Sequence, residues 1–161
     1  MEAELNGRLI KLDDDGELYW WFAINGGRPL KTPRWKKFKF TLMVDKKGNE
    51  TYHSCRINTR NYLRHRVVYF IHNTEWNILD SSIENQIDHI DENKLNNNIE
   101  NLRIVTHQQN QWNISSYKGY ILSKHNTYRT NISCGEAKLT KTYKTEQEAI
   151  DAVNEFKLKY H

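Results

Sequence analysis

Residues 86–113 read QIDHIDENKLNNNIENLRIVTHQQNQWN and concentrate oxygen and imidazole groups in 28 positions. Seven asparagines, two aspartates and two histidines lie in this stretch. The segments IDHI and NLRIV have the short apolar pattern of strands. THQQNQWN then has a threonine at its start and Gln109 at the capping-box position. The stretch therefore predicts two short strands followed by a helix that begins after Thr106.

The composition of the whole chain predicts a soluble α+β protein. The 161 residues are 37% hydrophobic, which suffices for one modest core or two small ones, and no apolar run is long enough to cross a bilayer. Met1–Glu4 lacks the basic and then apolar pattern of an export signal, so we expect a cytoplasmic or nuclear location. Cys55 and Cys134 stand alone, so we expect neither a disulfide framework nor a structural zinc site.

The net charge of +4 is unevenly distributed. Two basic stretches, 28–39 and 118–144, flank an acidic stretch at 80–100. Basic side chains interleaved with aromatic ones suit a phosphate backbone, so double-stranded DNA is the expected partner. A solvated lysine face is the alternative for either basic stretch taken alone. The candidate DNA-binding residues of these stretches are Arg28, Lys31, Arg34, Lys36, Lys37, Lys39, Lys124, Lys138 and Lys141.

The periodicity divides the chain into three segments. Residues 1–57 form a basic, β-rich region in which 38–57 predict a hairpin that turns at Asp45–Asn49. Residues 58–115 begin with an amphipathic helix, capped by Asn58 or Thr59. His65 and His72 lie on this helix, where a lone histidine is more often a packed or exposed residue than a metal ligand.

Residues 116–161 predict a three-stranded sheet that carries one helix. The strands break at 124–126 and at Gly135, and the helix begins near Thr145, which forms a capping box with Glu148. Acidic residues lie mainly on the helix and basic residues on the strands, so we expect the open face of the sheet to be positive.

This third segment resembles the DNA-binding domain of plant ethylene-response factors, which also occurs fused to phage and viral homing endonucleases. The resemblance is carried by Lys118-Gly119-Tyr120, by the strand at Tyr128-Arg129 and by KTYKTEQEAIDAV. It implies that a sheet enters the major groove. The residues that it implies as readers of the groove are Lys118, Tyr120, Arg129 and Asn131.

The central stretch resembles the HNH nuclease motif. Asp88-His89, Asn101 and Asn110 follow in the order and spacing of that motif, and DHIDENKLNNN, NLRIVT and QQNQWN are similar to the intron-encoded homing branch found in phages and viruses. The resemblance implies a metal finger of two strands and one helix, here between the N-terminal hairpin region with its helix and the C-terminal sheet with its helix.

The chemistry of a nuclease explains these residue types. An imidazole has an unperturbed pKa of about 6.5, so His89 is the expected general base for water. Asp88 and Asn110 offer oxygen ligands for Mg²⁺ or Mn²⁺. Asn101 is expected to orient the loop or the imidazole, in support of catalysis. Adjacent residues of a strand face opposite sides, so a twist or a strand end is expected at Asp88 and His89.

Two alternatives stay open at this point. The standard motif has a histidine where this chain has Asn110, and His107 lies on the same side of the predicted helix, so His107 is the reserve ligand.

We expect a site-specific, metal-dependent DNA endonuclease that nicks one strand per active site. It is expected to act as a monomer on DNA, with a dimer as the alternative. The rival function is a non-catalytic, sequence-specific DNA-binding regulator that keeps the finger as scaffold.

Overall fold

The computed structural model describes residues 1–114 and 116–160, and these ranges contain more strand than helix. The strands are β1 (Glu2–Leu5), β2 (Arg8–Leu12), β3 (Leu18–Asn25), β4 (Arg28–Lys37), β5 (Thr41–Val44), β6 (Glu50–Ile57), β7 (Arg60–Leu63), β8 (Gln86–His89), β9 (Leu102–Val105), β10 (Tyr120–Leu122), β11 (Tyr128–Thr130), β12 (Ile132–Cys134), β13 (Ala137–Leu139) and β14 (Thr142–Tyr143). The helices are α1 (Arg64–His72), α2 (His107–Trp112) and α3 (Glu146–Tyr160), and one 3-10 turn spans Ile99–Asn101. The predicted mixed class is confirmed.

The chain forms two compact units. The first comprises Met1–Ser81 and His89–Arg103, and the second comprises Ser82–Asp88 and Ile104–His161. The predicted division at 57/58 and 115/116 stays a prediction, and Ser115 lies outside the described residues. No helix within the described ranges is both long and apolar enough to span a membrane.

A four-stranded antiparallel sheet forms the start of the first unit, where the sequence predicted only a basic, β-rich region. Its strand order is β1-β2-β3-β4. Ile10 and Leu18 are completely buried and anchor its core. β4 contains Pro29 and Pro33, which have no backbone N–H. β4 tolerates them because it is an edge strand, with no neighbouring strand on its open side to accept such a hydrogen bond.

A three-stranded sheet, in the order β5-β6-β7, continues the first unit. The predicted hairpin is confirmed, because β5 and β6 pair antiparallel around a turn in which the carboxylate of Asp45 accepts hydrogen bonds from the backbone of Lys47 and Asn49. α1 buries His65, Val67, Val68 and Ile71.

The predicted cap of the first helix is wrong. α1 begins after Leu63, with no side-chain cap, and residues 60–63 form β7 instead. Asn58 has a φ of 52° in the turn before β7. Its side chain donates to the carbonyl of Asn6, and the Asn6 side chain donates to the carbonyl of Ile57. Asn58 suits this tight turn because asparagine tolerates a positive φ and its side-chain amide can hydrogen-bond to backbone, here to Asn6 in a neighbouring turn.

In the second unit, the predicted three-stranded sheet is present in the order β10-β11-β14. A separate hairpin, β12-β13, turns at Gly135 and was not predicted. α3 follows Thr145, whose hydroxyl accepts from the Glu148 N–H while the Glu148 carboxylate accepts from the Thr145 N–H, so the predicted capping box is confirmed. Ile132 and Val153 are buried with Trp112 in the core of this unit.

Replacement of Gly119 by alanine is expected to destabilise the second unit. Gly119 has a φ of 71°, and an added Cβ would lie 2.8 Å from Cγ1 of Val153. Gly135 also has a positive φ, of 56°, but no atom lies within 4 Å of an added Cβ. Left-handed backbone costs an alanine about 1–2 kcal/mol, and overpacking adds about 1–3 kcal/mol. Chemical denaturation should show a larger loss for Gly119→Ala than for Gly135→Ala. Equal losses would remove the contact with Val153 as the cause.

Candidate active site

The stretch 86–113 has the order of elements that the sequence predicted, namely β8, β9 and α2. β8 ends at His89, so the strand end expected at Asp88 and His89 is present. Asn101 ends the 3-10 turn and β9 begins at Leu102, one residue later than predicted. α2 has the predicted capping box between Thr106 and Gln109. Asp88 and His89 belong to different units, so their surroundings are described in turn.

His89 is 5% exposed, and side chains of the first unit surround its ring. Its Nε2 atom lies 3.3 Å from Oδ1 of Asn97. The ring centroid of His65 is 5.1 Å away, with the two ring planes at 81°. The Tyr52 ring centroid lies at 6.3 Å. An amide oxygen accepts hydrogen bonds only, so this contact favours the tautomer of His89 with its proton on Nε2.

The loop after His89 is closed by the side chain of Asn101. Oδ1 of Asn101 accepts from the N–H of Asp91 at 3.0 Å, and Nδ2 donates to Oδ1 of Asp91 at 2.8 Å and to the carbonyl of Asn96 at 2.9 Å. The hydrogen bonds that Asp91 accepts, from Asn96 first and then from Asn101, hold its pKa below the ordinary value. Asn101 thus orders the loop that carries Asn97, while a contribution of Asn101 to catalysis stays a prediction.

His65 is the other buried imidazole of this region. Burial lowers its pKa to about 3, with smaller contributions from His89 and Arg66. The desolvation of a charged imidazole is the main cause, so His65 is neutral near pH 7.

In the second unit, one face of β8 meets one face of α2. Nδ2 of Asn113 donates to Oδ1 of Asp88 at 3.1 Å. Two residues earlier on the strand, Gln86 accepts from Nδ2 of Asn110 at 3.0 Å. Residues i and i+2 share a face of a strand, and residues i and i+3 share a face of a helix. Asp88 and Asn110 therefore lie on the facing sides of β8 and α2.

The donor atoms of these two residues fit Mg²⁺ better than a softer metal. A carboxylate and an amide oxygen are hard ligands, and Mg²⁺ is commonly held by one or two protein oxygens together with water and phosphate. Gln86 engages the NH₂ group of Asn110, which leaves the amide oxygen as the ligand atom. Within 1–114 and 116–160, no three His, Cys, Asp or Glu side chains converge as a metal cluster.

His107, the reserve ligand, is exposed and has partners at both ring nitrogens. Nδ1 lies 3.4 Å from Oε1 of Gln86, and Nε2 lies 2.8 Å from Nε2 of Gln111. A metal at either nitrogen would displace one of these contacts. The choice between Asn110 and His107 as the partner of Asp88 stays a prediction.

The first group of predicted DNA-binding residues lies on β4 or directly after it. Five of them are exposed: Arg28, Lys31, Arg34, Lys37 and Lys39. The ammonium group of Lys36 is 3.6 Å from the ring centroid of Phe22. Lys37 lies 3.2 Å from the carboxylate of Glu17. Lys36 and Lys37 would have to leave these partners to bind a phosphate.

The second group lies on the short strands and turns of the second unit. Exposed members are Lys118, Lys124, Arg129, Asn131, Lys138 and Lys141. Tyr120 differs, because its hydroxyl donates to Glu146 at 2.6 Å, and Lys118 lies 3.7 Å from the same carboxylate. Arg129 shares the other face of the sheet with Ile121, which is 64% exposed.

Comparison with known proteins identifies the central segment. Residues 62–112 match the family model described as HNH endonuclease. The chain contains an HNH endonuclease domain. This HNH segment runs from β7 to α2 and includes Asp88, His89, Asn101 and Asn110. The resemblance of residues 116–161 to plant ethylene-response factors has no counterpart in this match and stays a prediction.

Two viral relatives match about half of the chain. An uncharacterized HNH endonuclease of Acanthamoeba polyphaga mimivirus is 35% identical over 96 residues, which cover 56% of this chain and 48% of the relative. A protein from the SPbeta prophage of Bacillus subtilis strain 168, named as an HNH homing endonuclease, is 37% identical over 101 residues, which cover 58% of this chain and 51% of the relative. The chain spans about half the length of these curated relatives. No solved structure matches the chain.

The sequence did not single out several partners of the candidate residues. Asn97 contacts His89, but it is one of three consecutive asparagines that all suit a loop. Asn113 and Gln86 contact Asp88 and Asn110, and only the pairing of β8 with α2 makes them neighbours of the site. The signal for His65 was its position on the helix, which favoured a packed or exposed residue over a ligand; in the structure it is packed against His89.

Replacement of Asn101 by aspartate is expected to destabilise the loop. Aspartate keeps the acceptor for the Asp91 N–H but loses the donor and sets a second carboxylate against that of Asp91. The buried side chain at position 101 would lose its hydrogen bonds to the Asp91 carboxylate and to the Asn96 carbonyl, which destabilises the loop. Asn98→Asp is the matched control, because Asn98 uses only its oxygen, as an acceptor from the Glu100 N–H. Urea denaturation should show a loss for Asn101→Asp alone. Equal stability of the two variants would contradict the role of Asn101 in the loop.

Burial of His65 is expected to make stability fall on mild acidification. Its folded-state pKa of about 3 lies below the unfolded value, so its contribution is complete above about pH 6.5 and is lost as the pH falls toward 3. Linkage gives a loss of about 2 kcal/mol between pH 7 and pH 5. In urea denaturation, His65→Phe should lose about 2 kcal/mol less than the parent over this interval. The same loss in both proteins would show that His65 does not titrate in this way.

Proposed function

We propose that this protein is a metal-dependent DNA endonuclease of the homing type, in which His89 activates water for attack on a phosphodiester. The observation that carries the proposal is a buried imidazole at the end of β8, oriented by Asn97, inside a segment that matches HNH endonucleases. The relatives come from a virus and a prophage, and one of them is named as a homing endonuclease. This origin supports a mobile-element nuclease as the biological context.

His89 would act through Nδ1. A hydrogen bond from Nε2–H to the oxygen of Asn97 leaves the lone pair of the ring on Nδ1, which takes the proton as water attacks phosphorus. The bond from phosphorus to the 3′ oxygen then breaks, and this oxygen takes a proton from solvent. The products carry a 5′ phosphate and a 3′ hydroxyl, as the resemblance to the HNH family implies.

Asp88 and Asn110 would hold the metal ion. The contact of the Asp88 carboxylate with Asn113 limits its rotation. When bound, Mg²⁺ would supply positive charge near the phosphate as negative charge develops on the leaving oxygen. Asn110 would contribute its amide oxygen from α2, which the contact with Gln86 orients.

Duplex DNA is the proposed substrate because basic residues line separate strands of both units. On β4, Arg28, Lys31 and Arg34 are the exposed cations. In the second unit, Arg129 with Ile121 on the outer face of the sheet is a better contact than Tyr120, whose hydroxyl is bonded to Glu146. One HNH segment provides one proposed active site, so a monomer would nick one strand.

The proposal predicts that His89→Ala abolishes site-specific strand cleavage. A randomised supercoiled plasmid library is incubated with Mg²⁺, and new 5′-phosphate ends are captured and sequenced. Recurrent ends on one strand are expected for the parent, and their yield should fall by about 100-fold or more in the variant, because loss of a general base costs 10²–10⁴-fold. Excess EDTA should abolish the ends, and added Mg²⁺ should restore them.

His72→Ala is the matched control, because His72 is a partly exposed histidine of the same unit at the end of α1. It should cleave like the parent. Equal cleavage by His89→Ala would remove His89 from the mechanism. Metal-independent binding of a selected DNA site without any new ends, in Mg²⁺ and in Mn²⁺, would instead favour the non-catalytic regulator.

A further inference from the structure

A second imidazole, to which the proposed mechanism gives no role, is packed against His89. His65 lies on α1 and is 6% exposed. Its ring centroid is 5.1 Å from that of His89, and the planes meet at 81°. Edge-to-face packing of rings at this distance is favourable and restricts ring rotation.

The ring of Tyr52 contacts both imidazoles. Its centroid lies 5.2 Å from that of His65 and 6.3 Å from that of His89. The ammonium group of Lys94 lies 5.2 Å from the Tyr52 ring centroid. Three rings from β6, α1 and β8 thus pack against one another at an angle. We call these residues, Tyr52, His65 and His89, the ring cluster.

A general base needs its ring plane fixed as well as one of its atoms. The contact with Asn97, at 3.3 Å, restrains the position of the Nε2 atom. A swing of the plane moves Nδ1, and a shift of about 1 Å in a reacting group costs as much as 10²-fold in rate. Packing against the ring of His65 at a near-right angle restrains the ring plane itself.

We propose that His65 is a positioning residue for the general base, and that its ring holds the plane of His89 so that Nδ1 points at the attacking water. The inference rests on the proposed function and adds a residue to it. His65 acts by shape and not by proton transfer. Its burial keeps it uncharged at neutral pH, so it does not repel the imidazolium that His89 becomes when it takes a proton.

Two substitutions separate shape from proton transfer. His65→Phe keeps a ring in the cluster and removes both nitrogens. His65→Leu keeps apolar volume in the core and removes the ring, and His65→Met replaces it should the leucine variant not fold. Circular dichroism and urea denaturation of each variant establish that it is folded before the other measurements are made.

Cleavage kinetics give the first readout, on the DNA site recovered from the parent. His65→Leu is expected to lower kcat about tenfold or more and to leave KM unchanged within about twofold. A misplaced base slows the chemical step without weakening DNA binding. Phenylalanine is expected to keep kcat within about threefold of the parent. A folded leucine variant with the kcat of the parent overturns the inference. So does a phenylalanine variant as slow as leucine, since the nitrogens would then be required.

Nuclear magnetic resonance of the histidine rings gives a second readout that does not require cleavage. The ring-proton signals of His89 are expected to shift and broaden in the leucine variant and to stay sharp in the phenylalanine variant. His125, exposed in the second unit, is the reference and should not change. Unchanged His89 signals in the leucine variant overturn the inference. Absence of cleavage by the parent overturns the proposed function instead, and the ring signals then decide alone whether His65 orients His89.

Discussion

The side chain of Asn101 provides the constraint on which the geometry around His89 depends. It accepts one hydrogen bond from the backbone of Asp91 and donates two, to the Asp91 carboxylate and to the carbonyl of Asn96. A largely buried amide that lost these partners would incur the cost of desolvation without compensation, so the loop between β8 and β9 is held in one arrangement. That arrangement brings Asn97 to the Nε2 atom of His89.

The alternation of side chains along β8 gives Asp88 and His89, the proposed cation ligand and the proposed base, different surroundings. Gln86 and Asp88 share a face of β8; Gln86 contacts Asn110 of α2, and Asp88 contacts Asn113, the residue that follows α2. His89 is the next residue, at the strand end, and its contacts are with rings and with the loop. Asp88, the proposed cation ligand, therefore lies among amide side chains, and His89, the proposed base, lies beside aromatic and imidazole rings.

Local patterns predicted those elements whose signals are themselves local. The capping boxes at Thr106 and Thr145 depend on residues three positions apart, and both are present. The turn at Asp45–Asn49 depends on asparagine and glycine chemistry within one loop. The four-stranded sheet at the N-terminus was missed because β4 contains two prolines and many lysines, and only its position at a sheet edge makes that sequence acceptable as a strand.

The sequence alone indicated the candidate base, its neighbouring carboxylate and the order of two strands and a helix, because short motifs at fixed spacing carry the resemblance to HNH nucleases. It also indicated that Asn101 bonds within the loop. Only the tertiary structure decided that Asn58 serves a turn and not a helix cap, since its amide bonds to Asn6, far away in sequence. It also decided that Asn97, among three consecutive asparagines, contacts His89, and that His65 packs against the same ring. Residues distant in sequence become neighbours only when the core forms, and periodicity along the chain carries no record of that packing.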